Sequence, residues 1–164
     1  MDTIAHYSSP IGRITIAERD GLIAGLWFDG QRFDRSILSK YEEKNSPVLE
    51  EAERWLDIYF SGICPDFTPP LLLSGTPFRV KVLRTLLSIP YGATATYKDI
   101  ANRLDMGKMA PQAVGNAVSH NPISIIVPCH RVVGADGSLT GYAGGLEKKE
   151  FLLSLEKREG GSLS

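Results

Sequence analysis

A chain of 164 residues, 43% hydrophobic and 23% charged, is long enough to bury a substantial core and has the makeup of an ordinary globular protein. Its formal net charge of −1 excludes neither a cationic nor a polyanionic partner until it is divided along the chain. No apolar run is long enough to span a bilayer, and the start Met1-Asp2-Thr3-Ile4-Ala5-His6 lacks the basic and apolar regions of a secretory leader, so the expectation is a cytoplasmic protein with no membrane partner.

Residues 1–74 carry 7 Lys/Arg against 12 Asp/Glu, whereas residues 75–164 carry 11 against 7. A polyanion would therefore approach the second half. The two cysteines, Cys64 and Cys129, suit a reducing compartment rather than a disulfide framework. The three histidines, His6, His120 and His130, show no ligand spacing for zinc, so neither a metal nor a cofactor is expected.

The first third reads as strands. Residues 12–17 alternate polar and apolar side chains, Asp20-Gly21 is a hairpin turn signal, and residues 22–28 form the returning strand, ended by Asp29-Gly30. Ser46-Pro47 opens a helix with proline at its first position and acidic residues in its first turns, and Ser61-Gly62 stops it. Residues 64–74, rich in Pro and Leu, read as an extended linker with room for one strand. Cys64 lies there beside Pro65, with no histidine near it in sequence, and reads as an inert thiol.

From Gly75 the texture becomes helical. Thr76-Pro77 caps a helix whose apolar positions Phe78, Val82, Leu83, Leu86 and Leu87 recur at helical spacing, until Ile89-Pro90-Tyr91-Gly92 breaks it. Thr96-Tyr97-Lys98-Asp99 has capping-box form and starts a second helix, with Ile100, Ala101 and Leu104 inward and Gly107 at its end. A third helix runs from about Ala110-Pro111 to His120, with Val114, Ala117 and Val118 on one face and Gly115 allowing close approach. Two short helices joined by a few residues containing glycine form a helix-turn-helix pattern. The seven basic and two acidic side chains between residues 77 and 131 fit a DNA-facing surface, and they fit a plain helical bundle with solvated charges as well.

The run Ile125-Ile126-Val127-Pro128-Cys129-His130-Arg131-Val132-Val133 places a Cys-His pair among apolar and β-branched residues, as at the end of a buried strand. An imidazole beside a thiol can take its proton and make it a strong nucleophile, so the Cys129 pKa is expected to be lowered. A cysteine protease or acyltransferase would use the same pair and would add an oxyanion hole. Residues 134–137 read as a turn. Residues 140–145 are Gly-rich but lack the spacing of a phosphate-cradling loop. Residues 146–155 read as an amphipathic helix with Lys157-Arg158 near its end, and Gly160-Gly161-Ser162 is expected to fray.

Asn121-Pro122, Pro128-Cys129-His130-Arg131 and Tyr142-Ala143-Gly144-Gly145-Leu146, taken together, resemble the active-site stretch of the O(6)-alkylguanine-DNA alkyltransferases, also called methylated-DNA–protein-cysteine methyltransferases. Thr76-Pro77-Phe78, Ala113-Val114-Gly115 and Leu152-Leu153 extend the likeness, and Ser9-Pro10-Ile11-Gly12 with Gly25-Leu26-Trp27-Phe28 carry it in outline into the first half. The resemblance implies an α/β fold: an N-terminal ribonuclease-H-like small sheet with a helix over residues 1–74, and a mostly helical C-terminal domain containing a helix-turn-helix over residues 75–164. It implies a monomeric, single-turnover DNA repair protein that moves the alkyl group of O(6)-alkylguanine in double-stranded DNA irreversibly onto Cys129. O(4)-alkylthymine is a further candidate substrate.

By the same resemblance, His130 accepts the thiol proton through a bridging water, Glu156 orients the imidazole, and Asn121 holds the site loop. Tyr97 pushes the target phosphate and bonds the flipped base, while Val132, Tyr142 and Ala143 line the base pocket. The helix from Ala110 enters the minor groove. Two positions depart from the family pattern: Gln112 stands where an arginine usually fills the place of the flipped base, and Ala143 where a serine is usual. Alkyltransferase-like lesion binders, which have Trp in place of the Cys, and helix-turn-helix regulators share parts of the pattern.

Overall fold

The computed structural model describes residues 2–31, 40–104 and 111–162, with the backbone alone for Pro111 and for residues 158–162. Strands β2 (Gly12–Arg19) and β3 (Leu22–Phe28) form the expected antiparallel hairpin. Asp20 and Gly21 both take positive φ, 53° and 78°, which is what a two-residue turn matched to the strand twist requires. Two strands were not legible in the sequence. β1 (Asp2–Ser9) pairs antiparallel with β2, and β4 (Tyr41–Glu43) pairs parallel with β1, giving the order β3-β2-β1-β4. β1 is only partly buried and rich in polar residues, and β4 is three exposed residues at the edge, so neither shows an apolar run.

Helix α1 (Pro47–Phe60) begins where expected, with Ser46 Oγ accepting the Leu49 N–H at 3.3 Å. Its buried residues Val48, Leu49, Ala52, Trp55, Leu56 and Tyr59 lie on one face and join Ile14, Ile16, Leu26 and Phe28 of the sheet in one core. Each such apolar side chain contributes roughly 1.5–3 kcal/mol on burial. Among the described residues, a second, small hydrophobic cluster, Ile4, Ala17 and Trp27, lies on the opposite face of the sheet.

The outer edge of β3 is occupied twice. The linker pairs there through Ile23 N to Pro70 O and Leu72 N to Ile23 O, both 2.8 Å, so the extended reading of residues 64–74 holds. Further along, Leu26 N donates to Pro122 O and Ser124 N to Leu26 O, both at 2.9 Å. These bonds fasten the segment before Cys129 directly to the sheet.

Helix α2 (Pro77–Leu86) is capped by Thr76, a short strand β5 (Ala95–Thr96) follows, and α3 (Tyr97–Arg103) carries the expected capping box between Thr96 and Asp99. Helix α4 (Pro111–Ser119) comes next; Gly107 and Ala110, read as the bounds of the helix pair, lie outside the described residues. Val82, Leu83, Leu86, Ile100, Val114 and Ala117 join the same core as the sheet. Gly115 faces the Tyr97 ring, where an added Cβ would sit 3.6 Å from the nearest carbon, an ordinary contact, so the packing does not demand glycine there.

Residues 125–131 are not a strand. Ile125 takes φ 71°, Cys129–Arg131 is a short 3-10 turn, and only Val132–Val133 forms a strand, β6, parallel to β5. An apolar run records burial, not the backbone that achieves it. Here tight local bonds, Ile126 N to Ser124 O and Cys129 N to Val127 O at 2.8 Å, satisfy the buried backbone instead of a sheet ladder. Helix α5 (Leu146–Ser162) runs past Leu155 and through Gly160-Gly161-Ser162, so Lys157 is not in its last turn. The glycines cost about 1 kcal/mol each in a helix interior and no proline stands among them. No helix among the described residues is long and apolar enough to cross a membrane.

Candidate active site

Cys129 is buried at the start of the 3-10 turn. A narrow cavity reaches it, walled by Asn121 and Ser124, by Val118 and Ser119 of α4, and by Gly141, Tyr142 and Ala143. Asn121 shapes the turn from both ends of its amide: Nδ2 donates to Val127 O at 2.9 Å and Oδ1 accepts from Ile123 N at 3.0 Å. This exceeds the part of a turn residue, because the two bonds hold the strained loop around Ile125 that presents the thiol.

Behind the thiol, His130 is fully buried and its Nε2 lies 2.6 Å from Glu156 Oε2. Glu156 comes from α5, so the pair is a contact across the fold, as the resemblance implied. Three more groups converge on that carboxylate. Arg131 donates through Nε to Oε1 at 2.8 Å and through Nη2 to Oε2 at 3.2 Å. Tyr59 Oη, from α1, donates to Oε2 at 2.6 Å, and Gly92 N donates to Oε1 at 3.2 Å. A buried carboxylate is tolerated only when its lone pairs are filled in this way.

Burial works to raise the Glu156 pKa, but the bonds from His130 and Arg131 prevail and hold it at about 2. With Glu156 ionised, the proton on His130 belongs on Nε2, where it donates to the carboxylate. Nδ1 is then the acceptor nitrogen, and it is buried with no protein partner. Burial lowers the His130 pKa against the pull of Glu156, so the imidazole is neutral and able to receive a proton.

The thiol departs from expectation. Burial raises the Cys129 pKa, and the nearby Asn121 amide, the charge of Lys149 and the backbone N–H of Cys129 offset this only in part. A neutral imidazole provides no positive charge to hold a thiolate, and the site denies it water. Lys149 is itself fully buried, with Nζ donating to Val132 O at 2.6 Å and to Thr140 O at 2.7 Å. It pins the loop before Gly141 to strand β6.

The remaining residues singled out in the sequence divide into two groups. Tyr142 and Ala143 do line the cavity, Tyr142 half-buried and Ala143 exposed. Val132 is fully buried beneath it and contributes its carbonyl to Lys149. Tyr97 and Gln112 stand apart from the cavity wall. Tyr97 Oη meets Thr140 Oγ1 at 3.2 Å, and Gln112 is exposed in the first turn of α4. Cys64 is exposed, in no disulfide, and far from this chemistry in the chain.

Sequence reasoning missed Tyr59, Gly92, Arg131 and Lys149 as parts of the site. Lys149 left a signal: with Leu152, Leu155 and Glu156 it falls on the buried face of α5, so two ionisable groups sit at apolar positions. Tyr59 left none beyond its place in the apolar stripe of α1. Among the described residues no group of three or more His, Cys, Asp or Glu side chains is arranged to hold a metal ion.

Fold and site together define a protein with a buried thiol beside a neutral imidazole and an ionised carboxylate. Residues 4–73 match the family model of the 6-O-methylguanine DNA methyltransferase ribonuclease-like domain, and residues 77–158 match that of the 6-O-methylguanine DNA methyltransferase DNA binding domain. The chain is 44% identical over 150 residues to a methylated-DNA–protein-cysteine methyltransferase of Mycolicibacterium paratuberculosis, covering 92% of this chain and 89% of that one. It is 47% identical over 150 residues to the protein of that name from Methanosarcina barkeri, covering 91% and 93%. The solved Mycobacterium tuberculosis OGT in complex with DNA superposes with a TM-score of 0.86 at 41% identity, covering 95% of this chain and 93% of that one. The chain belongs to the 6-O-methylguanine DNA methyltransferase family.

Proposed function

We propose that this chain repairs DNA by moving the alkyl group of O(6)-alkylguanine irreversibly onto Cys129. The observation that carries the reading is the arrangement of the site: a cavity that reaches Cys129, Asn121 bonded to the turn before it, and the adjacent His130 bonded to Glu156 of α5. The thiol proton passes to His130 Nδ1 through a bridging water, and Glu156 stabilises the imidazolium that results. The sulfur attacks the alkyl carbon as the bond from that carbon to the guanine oxygen breaks. The guanine leaves with the electron pair and takes up a proton. A thioether is stable, so each molecule acts once. The family membership and the DNA-bound mycobacterial relative support the same reading.

The thiol is buried, out of reach of a base stacked in a duplex, so the target guanine must be rotated out, at a cost of roughly a few kcal/mol that weakened lesion pairing reduces. Tyr142 and Ala143 flank the entering base, and Tyr97, tied to Thr140 beside them, meets the target phosphate. Helices α3 and α4 act as a helix-turn-helix whose second member lies in the minor groove, with Gln112 beside the vacated stack. Residues 1–74 form a ribonuclease-H-like domain that carries the alkyltransferase domain of residues 75–164. The chain's two cysteines, in no disulfide, suit a reducing compartment such as the cytoplasm.

Intact mass after mixing with an oligonucleotide containing methylated guanine tests the reading. One methyl group, mapped by peptide analysis to Cys129, is the expected result. A methyl group on Cys64, or no adduct, overturns it.

A further inference from the structure

We propose that Tyr59, on the helix of the sheet half, is a positioning residue for alkyl transfer, setting the proton affinity of the His130–Glu156 pair through its hydroxyl. The inference rests on the reaction proposed above and adds to it a residue from outside the thiol-bearing half of the chain.

Tyr59 is fully buried and its ring is held on several sides. It stacks on Trp55 at 5.2 Å between centroids, and meets Phe60, Tyr91 and His130 edge-on at 5.3, 6.1 and 6.4 Å. A ring fixed in this way aims its hydroxyl at one place, and that place is the carboxylate oxygen used by His130. Tyr59 Oη lies 2.6 Å from Glu156 Oε2, while His130 Nε2 lies 2.6 Å from the same atom. The tyrosine also stands 3.5 Å from Nε2 itself. Structural packing alone would be served by phenylalanine. The hydroxyl has a single acid partner, and it shares that partner with the imidazole that takes the thiol proton.

The chemical consequence follows from sharing. A donor on Oε2 draws off part of the carboxylate charge that would otherwise act on His130, and so holds the imidazole at lower basicity. The other groups facing His130 are Glu156 and Lys149 from α5, Arg131 and Cys129 on its own turn, and Tyr59 from α1, with Tyr91 edge-on to Tyr59. Burial and the two cations already depress the His130 pKa, and only Glu156 raises it. Loss of the Tyr59 hydroxyl releases the raising influence without altering the others. Tyr59 stays neutral throughout, because burial and the neighbouring carboxylate raise its own pKa far above the ordinary value.

The test compares wild type, Tyr59→Phe and Trp55→Phe in single-turnover kinetics across pH, on a duplex containing methylated guanine and on the free methylated base. The expected result for Tyr59→Phe is an acid limb moved to higher pH. Transfer on that limb is about tenfold slower, the scale of one hydrogen bond to a charged group. The loss is equal for duplex and free base, since the relay serves both. The 15N titration of the His130 ring moves upward in the same variant. Trp55→Phe, which disturbs the same helix without touching Glu156, changes stability but leaves the acid limb and the His130 titration in place.

A Tyr59→Phe protein with wild-type rates at every pH and an unmoved His130 titration overturns the proposal. So does a loss confined to the duplex, or a pH-independent loss shared with Trp55→Phe. Absence of methyl transfer by the wild type overturns the reaction itself, and that outcome is separate from any difference between variants.

Discussion

The buried carboxylate at the site and the ion pairs on the outer face of the sheet have nearly the same geometry and very different surroundings. Around Glu156 the donor distances run from 2.6 to 3.2 Å. On the sheet, Arg19 meets Asp2 at 2.7 and 3.0 Å, and His6 meets Glu43 at 3.0 Å. The Glu156 side chain is 1% exposed, whereas Glu43 is 69% and Arg13, paired with Asp29, is 58% exposed; Arg19–Asp2 lies between them, its carboxylate 8% and its guanidinium 36% exposed. Distance therefore does not rank these interactions; the dielectric around them does. Exposed pairs add little to stability and leave the sheet free to vary, while the buried set fixes one tautomer of one histidine.

The sharpest break of this contrast is Glu156→Gln. It leaves Arg131 and His130 buried without the counter-charge, and the expected loss is about 3–5 kcal/mol in denaturant unfolding. Alkyl transfer slows more than DNA binding weakens, because Glu156 lies behind the thiol rather than on the surface. A loss below 1 kcal/mol would place Glu156 with the outer pairs.

Acid provides the next test. The folded pKa of Glu156, about 2, lies below its ordinary 4.5, so its contribution is present above pH 4.5 and is lost as pH falls through about 2. The shift corresponds to about 3 kcal/mol. His130 works in the same direction. Its folded pKa is lowered, so below its ordinary 6.5 the unfolded chain takes up a proton that the native state resists. Unfolding midpoints measured against pH for wild type and Glu156→Gln should converge at the acid end. Parallel curves would mean that Glu156 is not ionised in the folded protein.

A smaller effect is expected from Lys149→Met, which keeps the apolar stem and removes the ammonium. Two loop carbonyls lose a donor, with a loss of about 1–3 kcal/mol. The Cys129 pKa should rise further, since the charge of Lys149 is among the influences that lower it. Thiolate absorbance during alkaline titration measures this directly. A fall in the thiol pKa would show that Lys149 does not act on Cys129 as a cation.

Much of the fold was legible because its boundaries are written in local chemistry. Ser46, Thr76 and Thr96 each cap the helix that follows them, and Asp20-Gly21 makes the hairpin turn. The resemblance of motif named Cys129, His130, Glu156 and Asn121, and the structure bonds Asn121 to the turn before Cys129 and His130 to Glu156. Tyr59 and Gly92 could not be read in this way. Each reaches Glu156 from 97 and 64 residues away, and a contact of that range leaves no periodicity. The misreading of residues 125–131 as a strand has the opposite cause, a local pattern too strong to reveal the turn at Ile125. The thiol pKa was misjudged because adjacency in sequence was taken for a charge; His130 spends its Nε2–H on Glu156 and stays neutral.

The smallest effect belongs to Arg13→Gln, and it closes the comparison from the exposed side. Arg13 bonds Asp29, which also accepts from Thr15 Oγ1 at 2.8 Å. Burial raises the Asp29 pKa, yet the bonds from Arg13 and Thr15 prevail and lower it. The carboxylate thus keeps one donor when Arg13 is lost, and water reaches the rest of it. The expected cost is below about 1 kcal/mol, falling further in high salt because an exposed pair is screened. A double-mutant cycle with Asp29→Asn, read by denaturant unfolding at low and high salt, isolates the pair. A coupling above 2 kcal/mol that persists in salt would mean that the outer face holds its charges as tightly as the site does, and burial would no longer account for the difference between them.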